Sequence, residues 1–503
     1  MRPFSADHHP AGRPQAGGAG TSMGTVFLAP VIGVRVGVMS RVLSVWPLYA
    51  AAFLATFQLS LANISVPDIR HSLGTGPAGL SLVVGAFTAA FAAGLVTAGH
   101  LGDRLGRRRL FRIGLAGVVL ATVAAAVAPG IGLLLVARAA QGLASAVMMP
   151  QILATIQAML TGADRALAVA VFSAASGVGT VAGQLVGGAV IVVLPAGFGW
   201  RGALLTGAVV AAAAYLGGAK LPDTRSAHPA RIDPVGSMLL AAALLVLVVA
   251  LSLGPTAGWA VWDLGLLGLA VVLLIALILH QRWAARTDRP AVLPAAVLAL
   301  PPVWIGMTMA LVFFSGFGAF MYDFALFTQG SLGLNAFGSG LATGLFALAF
   351  VTGSITSTRM IARFGGRTMV IGAVLQGLSL IAVGLVSWAR VSGWVWWFQL
   401  IGVVLGFAQS WMFAPLVGAV MQAVPDRVAG LTGGLIATAQ QAALGLGVAV
   451  FGGLYAQLGP VLGESRAFGA VAFIQVGLAV VFGALAVRLL GAQNRVVAAT
   501  IIE

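Results

Sequence analysis

Ionisable side chains are scarce in this chain, so an acid or base inside an apolar run is where chemistry is expected. Of the 12 acidic residues, only Asp323 falls inside a predicted span away from its ends, in the run 303–328. A carboxylate left charged and unpaired in hydrocarbon costs about 3 kcal/mol or more, which marks an intramembrane acid as a candidate proton or ion site. Arg138, in the run 131–153, is the one basic residue placed within a span away from its ends. At 1.5 Å per residue, Asp323, Arg138 and Gln58 all come to lie about 10 Å below the same membrane surface. Asp323 is therefore the expected carrier of coupled protons. The competing reading is that the span ends early and leaves Asp323 at the interface. Other chemistry is thin. There are no cysteines, which excludes thiol catalysis, thiolate metal sites and iron–sulfur clusters. His8, His9, His71, His100, His228 and His280 are scattered without zinc-ligand spacing, and no phosphate-binding Walker loop appears. The expectation is a protein that is not an enzyme, with no cofactor and no metal.

The elements that must position these residues follow from composition. The 503 residues are 60% hydrophobic and 8% charged, with a mean hydropathy of +1.04, whereas soluble domains carry about 25% charged residues. Continuous apolar runs of about twenty residues indicate helices and not barrel strands. They fall at roughly 42–66, 78–99, 110–128, 131–153, 167–194, 202–219, 235–254, 261–281, 303–328, 337–358, 368–388, 394–421, 430–458 and 467–490. That predicts an all-α membrane protein of fourteen spans. The net charge of +15 would suggest nucleic acid only if the basic residues shared a soluble face. With the N-terminus inside, 22 of the 27 basic residues fall on the inner side and four (Arg70, Arg201, Arg390, Arg466) outside. The charge thus reports topology, with both termini cytoplasmic, and no nucleic-acid partner is expected. Residues 1–40, rich in Gly, Pro, Arg and His, read as a disordered cytoplasmic tail.

Two linkers echo each other. Gly99 to Arg109 (GHLGDRLGRRR) joins spans 2 and 3, and Gly353 to Arg367 (GSITSTRMIARFGGR) joins spans 10 and 11. The repetition implies duplicated six-helix halves, 41–219 and 303–490, separated by a segment, 220–302, that inserts two further spans, with a cytoplasmic tail at 491–503. Parallel halves around a central pathway are a transporter architecture.

Several motifs carry a family resemblance. Gly99, Leu101, Asp103, Arg104, Gly106, Arg107 and Arg108 resemble the loop signature of the major facilitator superfamily, and Arg138, Gln141 and Gly142 resemble its R-x-x-Q-G signature. Gly179, Gly183, Gly187 and Gly188 have the spacing of the antiporter signature. NISVP (Asn63 to Pro67), RIDPVG (Arg231 to Gly236), QGSLGLN (Gln329 to Asn335) and AQQAALGLGVA (Ala439 to Ala449) are similar to the fourteen-helix drug:proton antiporter branch, the EmrB/QacA type. The resemblance runs from about 41 to 490 and implies the major facilitator fold. Two residues depart from the pattern: Gln58 stands where that branch has an Asp in span 1, and Gln184 where the antiporter signature has Pro.

The resemblance assigns roles to named positions. The Asp103 loop, with Gly99, Arg104, Gly106, Arg107 and Arg108, becomes a cytoplasmic gate, although its arginines would also serve as plain topology anchors. The span-5 glycines allow close helix packing, which is structural in itself. In the arrangement the resemblance implies, spans 1, 4, 9 and 12 line a cavity, so Asp323 is expected to partner Arg138 there in place of the absent span-1 acid. Gln58, Gln141 and Gln184 are expected to line a cavity, as are Phe317, Phe320, Phe324, Phe407 and Trp411. Phe313, Phe317, Phe320, Phe324 and Phe327 recur at 4, 3, 4, 3 and so share a helix face, a stripe that equally suits helix packing. The expected function is secondary export of amphipathic drug-like compounds or metabolites against protons, by a monomer in the plasma (inner) membrane. The alternative is a uniporter or importer of the same fold without proton coupling.

Overall fold

Prolines and glycines cut the apolar chain into helices. Pro47, Pro77, Pro234 and Pro301 stand in the first turn of four of them, where the missing N–H has no intrahelical partner to lose. The first helix stops on Gly74 at φ +62°, a left-handed cap that glycine adopts without strain. In the computed structural model, which describes residues 42–502 except 226–230, 288, 392, 423 and 425, the result is fourteen helices long and apolar enough to cross a membrane among the described residues. They are α1 (Trp46–Leu73), α2 (Pro77–Leu105), α3 (Arg107–Ala126), α4 (Ile131–Met159), α5 (Gly162–Val193), α6 (Gly199–Gly218), α7 (Pro234–Ala257), α8 (Val261–Arg286), α9 (Pro301–Gly330), α10 (Ala336–Phe364), α11 (Arg367–Ala389), α12 (Trp394–Met421), α13 (Leu431–Leu462) and α14 (Glu464–Ile502). The chain is a multi-pass membrane protein. The tail expected at 1–40 lies outside the described residues, and α14 runs on helically past 490.

Packing repeats as the linkers do. In the first half α1 packs on α5 and α6, α2 on α4, and α3 on α4 and α6; in the second, α9 packs on α13 and α14, α10 on α12, and α11 on α12 and α14. Each pairing in one half has its counterpart eight helices later. Pro150 within α4 and Pro415 within α12 fall at matching places.

The halves meet along α1–α9, α2–α13 and α5–α10. Gln329 Nε2 donates to the Ile64 carbonyl at 3.1 Å, and Tyr322 and Val448 from the second half are buried in a cluster built otherwise from the first. Gly188 lies on the backbone of Ala336, and Gly340 on the carbonyl of Gln184. These contacts lie toward the end of the bundle opposite the Gly99–Arg109 loop. Toward the loop end, Ala166, Val169, Ala170 and Ser173 on α5 and Thr352, Ile355 and Arg359 on α10 are exposed.

The inserted pair is tied to both halves. Thr97 of α2 and Ser237 of α7 share a hydrogen bond of 2.5 Å, while Gln457 of α13 donates to the Pro255 carbonyl at 3.1 Å. Asp233, the N-cap of α7, gathers this segment. Its carboxylate accepts from Gly236 N at 2.8 Å, Gln281 Nε2 at 2.9 Å and Val292 N at 3.1 Å, and contacts His280 Nε2 at 2.9 Å. Burial pushes the carboxyl up, but the hydrogen bonds from Gln281, Gly236, His280 and Val292 outweigh it and hold Asp233 below its ordinary value. A depressed carboxyl stabilises the fold above the unfolded value of about 4, and that contribution disappears as pH falls through the folded value. Asp233→Ala removes a cap and strands buried donors, an expected loss of about 3 kcal/mol. Apparent Tm in detergent should therefore fall at pH 7, with a smaller further drop between pH 5 and 3 than in the wild type.

Candidate functional site

Arg138 and Gln141 stand one helical turn apart on α4 and face α2 and α3. Arg138 is fully buried; its Nε donates to the Val83 carbonyl at 2.9 Å, its Nη1 to Gln141 Oε1, and its guanidinium lies 4.5 Å from the centre of the Phe87 ring. Gln141 Nε2 passes the chain on to Thr122 Oγ1 at 2.7 Å. Gly142 completes the motif, because a side chain there would collide with the Phe87 carbonyl. The R-x-x-Q-G residues thus form a charged strut inside the first half.

Asp323 sits elsewhere. It is fully buried, and neither carboxyl oxygen has a hydrogen-bond partner among the described residues. Its Oδ1 looks toward Gly452, where a Cβ would lie 3.6 Å away and where the neighbouring Tyr322 ring also packs. Gly452 ends the stretch Val448–Gly452, a π-helical turn inside α13; such turns widen a helix by one residue and recur at functional sites. The expected Asp323–Arg138 pair is not formed, which corrects the depth argument. Equal depth fixes height along the bundle but not rotation, and Arg138 turns into α2 and α3 while Asp323 turns toward α13.

The remaining expected cavity residues divide. Gln58 is buried, neither amide atom has a hydrogen-bond partner among the described residues, and its side chain lies against Gly207 of α6, inside the first half. Gln141 belongs to the strut, and Gln184 to the α5–α10 seam. Phe320 and Phe324 are buried among Phe346, Phe398 and Phe468 of their own half, so the shared aromatic face serves helix packing, and the small pocket that these two rings line lies within that half. Phe317 stands partly buried at the edge of the same rings. Phe407 and Trp411, half-buried and 5.7 Å apart, lie on α12 beside Gly353 of α10.

The Gly99–Arg109 loop is a tight knot. Asp103 pairs with Arg107 at 2.8 Å. Arg107 also donates to the Ala154 carbonyl at 3.0 Å, and Arg108 to the Leu221 carbonyl at 3.1 Å. Gly102 presses on Gln151, whose Nε2 donates to the Ala98 carbonyl at 2.9 Å, and Gly99 abuts Pro150. Gly106, at φ +102°, faces the Asp223 carboxylate. Gln151 and Asp223 were not foreseen; they lie far from the motif in sequence. A side chain at Gly106 costs about 1–3 kcal/mol in backbone strain alone. Gly106→Leu and Asp103→Asn should each cut transport at least tenfold with membrane insertion nearly normal, as read by transport rate per inserted molecule; unchanged rates would return the loop to an anchor role.

The span-5 glycines face two partners. Gly179 and Gly183 lie on the Phe53 and Phe57 carbonyls of α1 and Gly187 on Leu61 and Ile64, whereas Gly188 lies on α10. Another buried acid, Asp263 in the first turn of α8, has no hydrogen-bond partner for either oxygen among the described residues and lies close to Gly254; its position near a helix end kept it out of the sequence reading.

Residues 48–235 and 232–448 match the Major Facilitator Superfamily. The chain belongs to this superfamily. Among relatives, a probable actinorhodin transporter of Streptomyces coelicolor is 29% identical over 79% of this chain and 69% of its own length. A puromycin resistance protein of Streptomyces alboniger is 30% identical over 80% of this chain and 79% of its own. A tetracenomycin C resistance and export protein of Streptomyces glaucescens is 29% identical over 82% and 76%. Among solved structures, a POT family transporter in complex with a thioalcohol-conjugated peptide has a TM-score of 0.65 at 14% identity, covering 88% of this chain and 96% of that one. A D-xylose–proton symporter gives 0.61 at 14% identity, covering 86% and 96%. The superfamily's duplicated halves are those described above.

Proposed function

We propose that this protein is a secondary exporter that moves amphipathic, drug-like compounds or metabolites outward in exchange for protons. The observation that carries the direction and substrate class is the set of relatives named for antibiotic transport, resistance and export. The basic Gly99–Arg109 end faces the cytoplasm, in keeping with the distribution of arginines, and both termini lie there. The halves rock about α1 and α9, and the state described is sealed at the outer end. The protein works as a monomer, with Asp103, Arg107 and Gly106 forming part of the inner gate.

Asp323 is the coupling acid in this reading. A buried carboxyl with no partner is tolerated in its neutral form, so this state holds the proton, which is released to the inner side in the course of the exchange cycle. Gln58, in place of the branch's span-1 acid, favours the rival reading of uncoupled transport. Everted vesicles given a panel of lipophilic dyes in the medium separate the two: dye should accumulate inside when the lumen is acidified, and accumulation should collapse with a protonophore. Dye movement indifferent to the gradient would overturn coupling; no movement of any compound would overturn the substrate class.

A further inference from the structure

The repeat of the two halves allows one to be read against the other, and at their outer ends they differ. In the first half Arg201, near the start of α6, reaches the end of α3 and donates to the Ala126 and Ala128 carbonyls, both at 2.7 Å. In the second half Arg466, near the start of α14, lies 5.8 Å from the Trp388 ring near the end of α11. The two arginines are thus counterparts. The residue before the first is Trp200, fully buried among Ile69, Ala128 and Leu134, and it plugs the bundle end. The residue before the second is Ser465, too small to do so. A cavity of about 450 Å³ opens there, among α9, α11, α12 and α14.

The lining is chemically specific. Arg390 and Glu464 stand at the mouth, with no ion pair between them. Phe327, Trp394 and Phe398 form an aromatic wall, the indole 5.5 Å from one ring and 5.3 Å from the other. Ser387 is 2% exposed, lines the cavity, and its Oγ has no hydrogen-bond partner among the described residues. A buried hydroxyl without a partner is uncommon in a settled core. The volume lies within the range of small-molecule sites, about 300–1,000 Å³, and such sites combine apolar walls with a few placed polar groups. Because every lining residue belongs to the second half, the cavity does not depend on how the halves are disposed, and it is separate from the path between them.

We propose that this cavity is a second small-molecule site, on the outer side of the C-terminal half, for an aromatic zwitterion of about the size of an aromatic amino acid. Arg390 receives the carboxylate, Glu464 the ammonium, the three rings hold the aromatic group, and Ser387 supplies a hydrogen bond at depth. The site does not rest on the export reading, and its test needs no gradient.

Calorimetric titration of the full chain in nanodiscs tests it with three probes: L-tryptophan, tryptamine and indole-3-propionate. Saturable binding of L-tryptophan is expected. Arg390→Gln should weaken L-tryptophan and indole-3-propionate about tenfold and spare tryptamine, and Glu464→Gln should do the reverse for the two charged groups. Ser465→Trp, patterned on Trp200, should abolish binding of all three with Tm maintained. Absence of saturable L-tryptophan binding up to millimolar concentration overturns the proposal. So does undiminished binding in folded Ser465→Trp, which would move the site to the central pathway. If Ser465→Trp does not fold, the exposed charge variants decide: shifts that ignore which charge the probe carries overturn the assignment.

Discussion

Asp323→Asn is expected to abolish gradient-driven accumulation while leaving substrate binding and passive exchange measurable. Asparagine has the shape of the protonated carboxyl and cannot release its proton, so it holds the carrier in the loaded form. The size of the effect follows from energetics. One proton moving down one pH unit supplies about 1.4 kcal/mol, enough for a tenfold steady-state ratio of a substrate exchanged one for one. With the membrane potential clamped at zero, wild-type vesicles under one pH unit should approach that ratio, and Asp323→Asn should fall to about 1. A ratio unchanged in the variant would remove Asp323 from coupling. Arg138→Ala should also impair transport, by dismantling the strut to Val83 and Gln141. Since the structure separates Arg138 from Asp323, their effects on the rate of passive exchange, which Asp323→Asn leaves measurable, should add, whereas a direct ion pair would make them non-additive.

How much of this was legible beforehand depends on which physical signal each feature leaves. The fourteen helices were, because each needs some twenty apolar residues and the bilayer admits little else. The duplication was as well: the echo between Gly99–Arg109 and Gly353–Arg367 announced a repeat that the pairings α1–α5 and α9–α13 bear out. Rotation about helix axes was not. In a soluble helix the polar face tells which side is in, but a helix apolar all round gives no such cue. Hence Asp323 was paired with a residue that turns away from it, and the packing of Phe320 and Phe324 on Phe398 and Phe468 was not legible. Gln151 and Asp223 escaped for a different reason. They complete the Gly102 and Gly106 contacts from 49 and 117 residues away, and a lone Gln or Asp carries no local pattern. The π-helical turn at Val448–Gly452 leaves no trace in composition.

Of the four glycines on α5, Gly188 should be the one whose replacement stops transport without loosening the fold. Its three companions lie on α1, within the same half, so a larger side chain at Gly183 would disturb packing in every state of the cycle. Gly188 instead meets the other half: an added Cβ would stand 2.6 Å from the Ala336 carbonyl oxygen and 2.9 Å from Phe337 Cα. Backbone cannot swing aside as a side chain can, so Gly188→Val penalises only the state in which the outer ends are closed. Overpacking of this kind costs about 1–3 kcal/mol, which shifts a two-state equilibrium between about 5- and 150-fold toward the outer-open form. Transport should fall by a comparable factor, and Gly188→Ala should lie between the two. The chain has no cysteine, so a single introduced thiol reports the shift directly. Val448 is fully buried, in a cluster that it and Tyr322 share with residues of the first half. In Val448→Cys alone a membrane-impermeant maleimide added outside should react slowly; in combination with Gly188→Val it should react many times faster, because parting of the seam uncovers position 448. Unchanged labelling together with wild-type transport would mean that α5 and α10 do not close against each other during the cycle, and the seam would then be a fixed packing contact like those of Gly179 and Gly183.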